Sequence, residues 1–581
     1  MPAIAAPSQI VRLGADMNVS CAVAAVVGLL SHWTYFIRGA RSMDVVNIVT
    51  FHLLALGLLF FKTTSSLGLY DGLLDYFAIS GSYFAALFAS IGIYRLFFHP
   101  LRRFPGPFQA KVTKLYIPWI NRDWKLHEHF LDMHQKYGDF VRVGPNDISV
   151  VNLDAFNKLH GPQTKVTKRN TGFYDGLVSR GEPNLDTIWH NETHRDRRKV
   201  WDQALGSKGE KPSHTPGTTS ADRLLFPALE KYEEETRKVL RTWLARLDEV
   251  GSKPVDTSRY AKLIPFDNMG RVAFSRDFGT VKDGREDRML DLIEITFKLA
   301  AQMGQTPWPL VFLAGLPRFG MQKEFEALGA RLIDERMAVD SDETHDMLRY
   351  FIDDLKSEKP RTFFNLNILY SDSHAILIGA TDTISCALGY SFYFLARDLN
   401  LRQRLRDEIA PTHGKTLPGE FSVADLQKVE FLEAFINETL RMHAPAALNG
   451  PRMAPPEGVE VDGTFIPGGV TLTTPLHIYH RSEKYWRRPH DFIPERWTTR
   501  PDLIIDRRAF APFHYGRFDC VGRRLALNVL RLTVAYTLWN YDFEFAPGED
   551  GGTFENEAKF QLIVKPAKLE CVFRKRTEVE V

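Results

Sequence analysis

The chain has 581 residues, a formal net charge of +2 and 44% hydrophobic residues. That near-neutral balance gives no global attraction to nucleic acid. Four cysteines without paired spacing (Cys21, Cys386, Cys520 and Cys571) exclude a disulfide framework and a zinc site and suit a reducing compartment.

The first hundred residues differ from the remainder. Residues 18–37, 45–61 and 76–94 carry no formal charge, and each run is close to the ~20 residues that a helix needs to cross a bilayer core. A cleaved signal peptide accounts for one such run and not for three in succession. The pattern predicts three spanning helices; a single anchor followed by buried or interfacial segments is the alternative. Arg38 and Arg41 follow the first run, Lys62 is set against Asp71 and Asp75 after the second, and Arg95, Arg102 and Arg103 follow the third. With three spans, the positive-inside rule puts the N-terminus in the lumen and everything beyond Arg95 in the cytosol. Residues 1–98 read as a membrane anchor and 99–581 as one globular domain.

Residues 94–107, with Pro100, Pro105 and Pro107, read as a stiff, extended hinge, because proline fixes φ and denies its predecessor helical geometry. A helix is expected over 124–137, then a hairpin of 140–143 with 148–151 about Gly144-Pro145-Asn146-Asp147. A basic helix begins at His194; His194 and Arg198 are four apart and share a face, a pattern that a solvated charged helix gives equally. Residues 206–221, rich in Ser, Thr, Gly, Lys and Pro, read as a mobile surface insertion. Helical patterns follow over 224–250 and 285–302, and the apolar 308–319 reads as part of a roof near a membrane surface.

From 365 to 399 the chain lacks proline and is apolar enough for one long, largely buried helix. Within it, Gly379 and Ala380 let another body come close. Asp382 and Thr383 set an acid beside a hydroxyl, a pair able to pass protons at a local widening of the backbone ladder. Glu438 and Arg441, three apart on a helix, can pair, and Arg496 can share that carboxylate. If buried, this group needs all its members, because a charge left unpaired there costs ~3–5 kcal/mol. Residues 444–452 leave the helix past the apolar Ala446, Ala447 and Leu448 toward short strands at 459–461 and 470–473. Finally, Phe513-His514-Tyr515-Gly516-Arg517-Phe518-Asp519-Cys520-Val521-Gly522 sets one cysteine among glycines ahead of an amphipathic helix. Glycine allows positive φ and close approach. A sulfur aimed at a helix start gains thiolate character, as a metal-ligating thiolate needs; a buried structural cysteine at a loop–helix junction is the alternative.

Phe513-x-x-Gly516-x-x-x-Cys520-x-Gly522 resembles the haem-binding loop of the cytochromes P450. The proline-rich linker, the 379–385 segment and the Glu438, Arg441, Arg496 group resemble the same family, in its order and separation, over nearly all of the chain from Tyr94 to about Val572. The resemblance is to fungal-type microsomal, class II members. It implies a mainly α fold with small β-sheets, the cytochrome P450 fold preceded by N-terminal transmembrane helices. It places the protein in the endoplasmic reticulum membrane, multi-pass, with a cytosolic catalytic domain. It implies haem b with Cys520 as the axial iron ligand, held in a loop shaped by Phe513, Gly516 and Gly522, and with Arg452, Arg198 and His194 at the propionates. Asp382 and Thr383 would relay protons for O–O cleavage, and Glu438, Arg441 and Arg496 would form a structural lock behind the haem pocket. The implied partners are O2, NADPH–cytochrome P450 reductase and an apolar small molecule such as a fungal secondary metabolite. Arg195, Arg197, Lys199, Arg523 and Arg531 are expected to flank the cysteine side and attract the acidic reductase.

The chain departs from the family pattern at three places. Gly379 and Ala380 are reversed relative to the commonest order, and Ile384 stands where a second hydroxyl is usual, with Ser385 adjacent. Phe518 occupies the position two before the cysteine where the family has Arg or His, with Arg517 one place earlier. A one-residue shift points a loop side chain elsewhere, so Arg452, Arg198 and His194 are expected to carry more of the propionate charge. Two rival readings are a P450-fold isomerase or dehydratase working without O2, against which the Asp382-Thr383 pair argues, and a non-catalytic membrane scaffold, which requires that Cys520 bind no haem.

Overall fold

The computed structural model describes residues 7–37, 41, 44–168, 172–174, 177–178, 180–206, 226–314, 320–339 and 344–576. The expected insertion at 206–221 lies outside these apart from Gly206, as do the last five residues of the 308–319 segment. The chain is mainly helical with small sheets.

Helices α1 (Pro7–Ser31), α2 (Val45–Leu67) and α3 (Leu69–Ile93) are apolar, and α1 and α3 run on as π-helical turns at His32–Phe36 and Tyr94–Phe98. All three are long and apolar enough to cross a membrane. The third starts earlier than the uncharged run at 76–94 and carries Asp71 in its first turn, where the positive end of the helix dipole favours an acid. Gly28 brings α1 against α3: a Cβ there would lie 2.4 Å from Tyr83 O. Hydrogen bonds of His32 Nδ1 with Ser90 Oγ at 2.8 Å and His52 Nε2 with Tyr83 Oη at 3.0 Å clip the helices together. Small residues and polar clips are what join helices in lipid, where burying apolar surface gains little.

The linker is not the extended hinge that its prolines predict. It stays helical through Tyr94–Phe98 and then forms a 3-10 turn at Pro100–Arg103, with Pro100 leading that turn, where no N–H is needed. Leu101 and Phe104 are buried with Ile148, Val150 and Leu472. Arg142 N donates to Pro105 O at 2.7 Å, and the fully buried Arg142 side chain donates to Arg95 O at 3.0 Å and Pro145 O at 2.7 Å. The linker is thereby fused to the first strand of the main sheet.

That sheet has the order β1–β2–β4–β3, with β1 (Phe140–Gly144), β2 (Asp147–Val150), β3 (Arg452–Met453) and β4 (Thr471–Thr473). β1 and β2 form the expected hairpin, β2 pairs in parallel with β4, and Arg452 of β3 stands opposite Leu472.

The helical layer holds α4 (Asn191–Ala204), α5 (Thr257–Phe274), α6 (Arg288–Met303), α7 (Leu366–Arg397), α8 (Glu430–Met442) and α9 (Arg523–Asn540). α7 runs through the core, buried along most of its length and packed on α5 and α9. Asn365 caps it by accepting from Ile368 N at 3.0 Å, and Asp398 ends it by capping the next helix. The expected widening of its ladder is absent: α7 is α-helical throughout. Thr381 and Thr383 bond their hydroxyls to the carbonyls of Leu377 and Gly379, at 2.9 and 2.6 Å, back-bonds that commonly bend a helix and that this one accommodates without a break. A hairpin of β5 (Lys559–Gln561) and β6 (Ile563–Lys565) lies against α7, where Cys386 Sγ donates to Val564 O at 3.0 Å. The short apolar helix Trp308–Ala314 packs against α2.

Candidate active site

The Cys520 loop is a folded hook. His514 turns left-handed at φ 63°, and Gly516 follows at φ 77°; a Cβ on Gly516 would lie 2.0 Å from His160 O, so only glycine fits. A 3-10 turn at Gly516–Phe518 carries the chain back until Cys520 N donates to Phe513 O at 2.8 Å. Gly522 leads into α9, accepting from Ala526 N at 2.9 Å. The Phe513 ring lies under the Arg523 guanidinium at 5.7 Å.

Cys520 is solvent-accessible, unlike the buried Cys386 and Cys571. The expected thiolate character is not supplied by the loop alone. Desolvation pushes the Cys520 thiol up, and it outweighs the Gly522 N–H and the Arg198 and Arg523 charges that pull the other way. Coordination to a metal would bring it down again, since a ligating thiol gives up its proton.

Arg198 reaches this loop from α4, donating to Asp519 O at 2.8 Å and pairing with Asp519 at 3.0 Å and Asp202 at 2.8 Å. His194, one turn earlier, meets the Phe518 ring edge-on at 4.8 Å. Burial, aided by Lys168 and Arg198, brings its imidazole down to about 3, so it is a neutral hydrogen-bonding group at physiological pH. Arg452 is buried, hydrogen-bonded to Tyr174 Oη and to the carbonyls of Gly450 and Pro451, and has no carboxylate partner among the described residues. Its Nε lacks any partner, as do Arg517 Nη1 and His514 Nε2.

Two cations stand over the Phe518 ring, Arg452 at 5.1 Å and Lys168 at 4.7 Å from its centre. Lys168 is buried and bonded to Asp186. Burial brings it down to about 8, with Asp186 holding it up and Arg452 adding repulsion. The sequence held no sign of Lys168, an isolated lysine in a loop far from the cysteine. Buried cations gathered at Phe518, two residues before an accessible thiol, with arginine donors left over, suit a macrocycle bearing a ligand-hungry metal and carboxylate arms, the chemistry of a haem.

On α7, Gly379 is exposed in mid-helix, and a Cβ there would meet nothing within 4 Å. The helix surface at Gly379 and Thr383 therefore borders open space. Asp382 points elsewhere: it is buried and pairs with Lys565 Nζ on β6 at 2.8 Å. The sequence signal for Lys565 was slight, a single lysine ending an apolar strand.

The Glu438 group is complete and fully buried. Arg441 takes Glu438 with two bonds of 2.9 Å, and Arg496 Nε donates to it at 3.1 Å. Ile493 N at 3.0 Å and Trp497 Nε1 at 2.9 Å add two donors; the motif spacing gives no hint of Trp497, although it adjoins Arg496. The remaining N–H groups of both arginines go to backbone carbonyls, His480 and Pro489 for Arg441, Arg487 and Leu503 for Arg496.

Two of the expected docking cations are not available. Arg197 is buried on Asp372 at 2.7 Å and Thr362 at 2.8 Å, and Arg531 is buried in a bidentate pair with Glu433 at 2.6 and 2.8 Å. On helices that pack inward, a basic residue on the buried face is drawn to the nearest buried acid. Arg195, Lys199 and Arg523 remain exposed.

The family model for cytochrome P450 matches residues 105–571. A cytochrome P450 monooxygenase, sthD, of Phaeosphaeria nodorum is 33% identical over 484 residues, covering 81% of this chain and 94% of its own. The tryprostatin B 6-hydroxylase of Aspergillus fumigatus is 31% identical over 541 residues, 91% of this chain and 92% of its own. The match takes in the linker's end, α7, the Glu438 group and the Cys520 hook alike, and the chain belongs to the cytochrome P450 family, as an enzyme of its monooxygenase class.

Proposed function

We propose that the chain is a membrane-anchored haem b monooxygenase that inserts one oxygen atom from O2 into an apolar small molecule, with electrons from NADPH–cytochrome P450 reductase. The observation that carries this reading is Cys520, accessible at the end of its hook two residues after Phe518, over whose ring stands the buried Arg452 with an Nε that has no partner among the described residues. Cys520 would hold the iron, and Arg452 and the neutral His194 the propionates, with Lys168 held on Asp186. Arg198 would act through the loop, since both of its acids are protein groups. The haem supplies dioxygen activation when bound.

The protein's own part is positional and acid–base. Glu438, Arg441 and Arg496 fix the segment that ends in the hook, Thr383 presents a hydroxyl at the open face of α7, and Asp382 supplies the acid. Ala447 and Leu448 are apolar and buried on the stretch before Arg452, which suits an apolar substrate. The two hydroxylase and monooxygenase relatives favour a fungal secondary metabolite. Residues 1–98 are proposed as a multi-pass anchor in the endoplasmic reticulum and 99–581 as a cytosolic catalytic domain. Arg195, Lys199 and Arg523 are the cations left to meet the reductase.

The test is microsomes carrying this chain and reductase, compared with Cys520→Ala. A thiolate-type reduced-CO spectrum and an NADPH-dependent product from the first and neither from the second are expected. Equal product from both would sink the haem-thiolate reading, and product without NADPH would favour an isomerase or dehydratase.

A further inference from the structure

A cavity of about 570 Å³ opens from the surface beside α7, between α5, α6 and the β5–β6 hairpin, and Asp382 forms part of its wall. Successive side chains on a helix diverge by ~100°, and here the divergence separates acid from alcohol. Thr383 turns back to Gly379 O, whereas Asp382 turns to Lys565, whose Nζ also lies 5.4 Å from the Phe297 ring centre.

The Asp382–Lys565 contact is close but off hydrogen-bond geometry, so Asp382 Oδ2 and Lys565 Nζ both keep unfilled bonding capacity. Gln561 Oε1, buried on β5, is likewise without a partner. All three residues line this one cavity. Buried polar atoms are nearly always satisfied, by ordered water where the protein supplies no partner, and this volume holds several. Toward the surface the wall continues as linked charges, Lys262 with Glu286 and Glu294 at 2.6 and 3.1 Å and Lys298 with Glu294 at 2.7 Å. Against the upward pull of burial, Lys298, Lys262 and Lys565 hold Glu294 at about 2, a permanent anion on the route.

We propose that this cavity is a hydrated proton inlet to α7, and that Lys565 is a positioning residue which holds the Asp382 carboxylate at its inner end. The proposal rests on the oxygen-activating reading above. When the Thr383 hydroxyl gives up its proton on the open side of α7, the Asp382 carboxylate takes one from the water chain and passes it through an intervening water to the Thr383 oxygen, returning to its ionised form beside Lys565. Bulk solvent supplies the chain. One proton moves inward, and the charge of Lys565 does not change.

The experiment uses the full-length holoenzyme with reductase in microsomes, with NADPH oxidation followed in H2O and D2O. The carboxylic-acid band is recorded by infrared spectroscopy and assigned by its absence in Asp382→Asn. Lys565→Met leaves a buried carboxylate without its counter-charge, so the acid band is expected to grow while NADPH oxidation slows about tenfold with an enlarged solvent isotope effect. Lys565→Arg is expected to restore all three to within about twofold of wild type. Gln561→Leu, which removes a water ligand and no charge, is expected to slow oxidation about threefold without changing the acid band; this variant decides between inlet and plain cavity should Lys565→Met fail to accumulate. An intact thiolate-type CO spectrum with rate, isotope effect and acid band unchanged in Lys565→Met, or rate and isotope effect unchanged in Gln561→Leu, overturns the inlet and leaves the monooxygenase reading standing. A wild-type spectrum without the thiolate band overturns both.

Discussion

At Phe518 an aromatic ring stands where a charge was expected, and two cations from distant parts of the chain, Lys168 and Arg452, stand over it. Cation–π contact holds both in place and leaves the Arg452 Nε–H to a third party. Arg452→Ala is therefore expected to release haem faster than Arg517→Ala when transfer to apomyoglobin is timed; the opposite order would mean that Arg517 makes the main contact. A second residue-scale prediction concerns Glu438, which accepts from Arg441, Arg496, Trp497 and Ile493 at once. Arg441→Leu leaves that carboxylate half-paired in the core and is expected to cost ~3–5 kcal/mol, read as a lower urea midpoint of tryptophan fluorescence. Glu438, Arg441 and Arg496 were legible because motif spacing and complementary charge name the partners together. Lys168 and Lys565 were not, since each is a lone lysine whose partner lies far off in sequence and is met only through the fold.

Among the elements, α7 shows both what patterning reveals and where it stops. The absence of proline and the apolar content predicted its length to within two residues at the C-terminal end. The ladder widening is absent even though Thr381 and Thr383 bond back to carbonyls four residues earlier, an outcome that composition does not encode. The linker departs from expectation because Pro100 stands at the start of a turn, where a helix tolerates proline, and the burial of Leu101 and Phe104 decided its path. In the anchor, the apolar runs showed where helices lie but not that Gly28 seats α1 on the backbone of α3. Gly28→Leu is expected to push these helices apart, seen as a longer and broader distance between spin labels on α1 and α3; an unchanged distance would mean that the polar clips alone hold them.

For the molecule as a whole, acid sensitivity follows from its buried imidazoles. Burial brings His127 and His480 down to about 3 and His134 to about 4. Below the ordinary imidazole value near 6.5, the unfolded chain binds protons that the folded one refuses, so stability falls as pH falls. The loss runs from about pH 6.5 down to each folded value, at roughly 1.4 kcal/mol per pH unit for each histidine. The thermal midpoint is expected to drop steeply between pH 6.5 and 5 and to flatten in the triple variant His127→Gln, His134→Gln, His480→Gln; equal slopes would assign the sensitivity to other groups.

With the proposed membrane anchor, the joint at Arg95, Pro105 and Arg142 would make the bilayer a mechanical input to the globule. Spanning helices answer a thicker or thinner membrane by changing tilt, and a linker welded to β1 passes that rotation into the sheet whose outermost strand carries Arg452. Lipid thickness would then act as a torque on the proposed grip of Arg452 at the haem edge. Haem release timed in bilayers of short and long acyl chains is expected to differ for the wild type and to converge for Arg142→Ala, in which the lever is uncoupled.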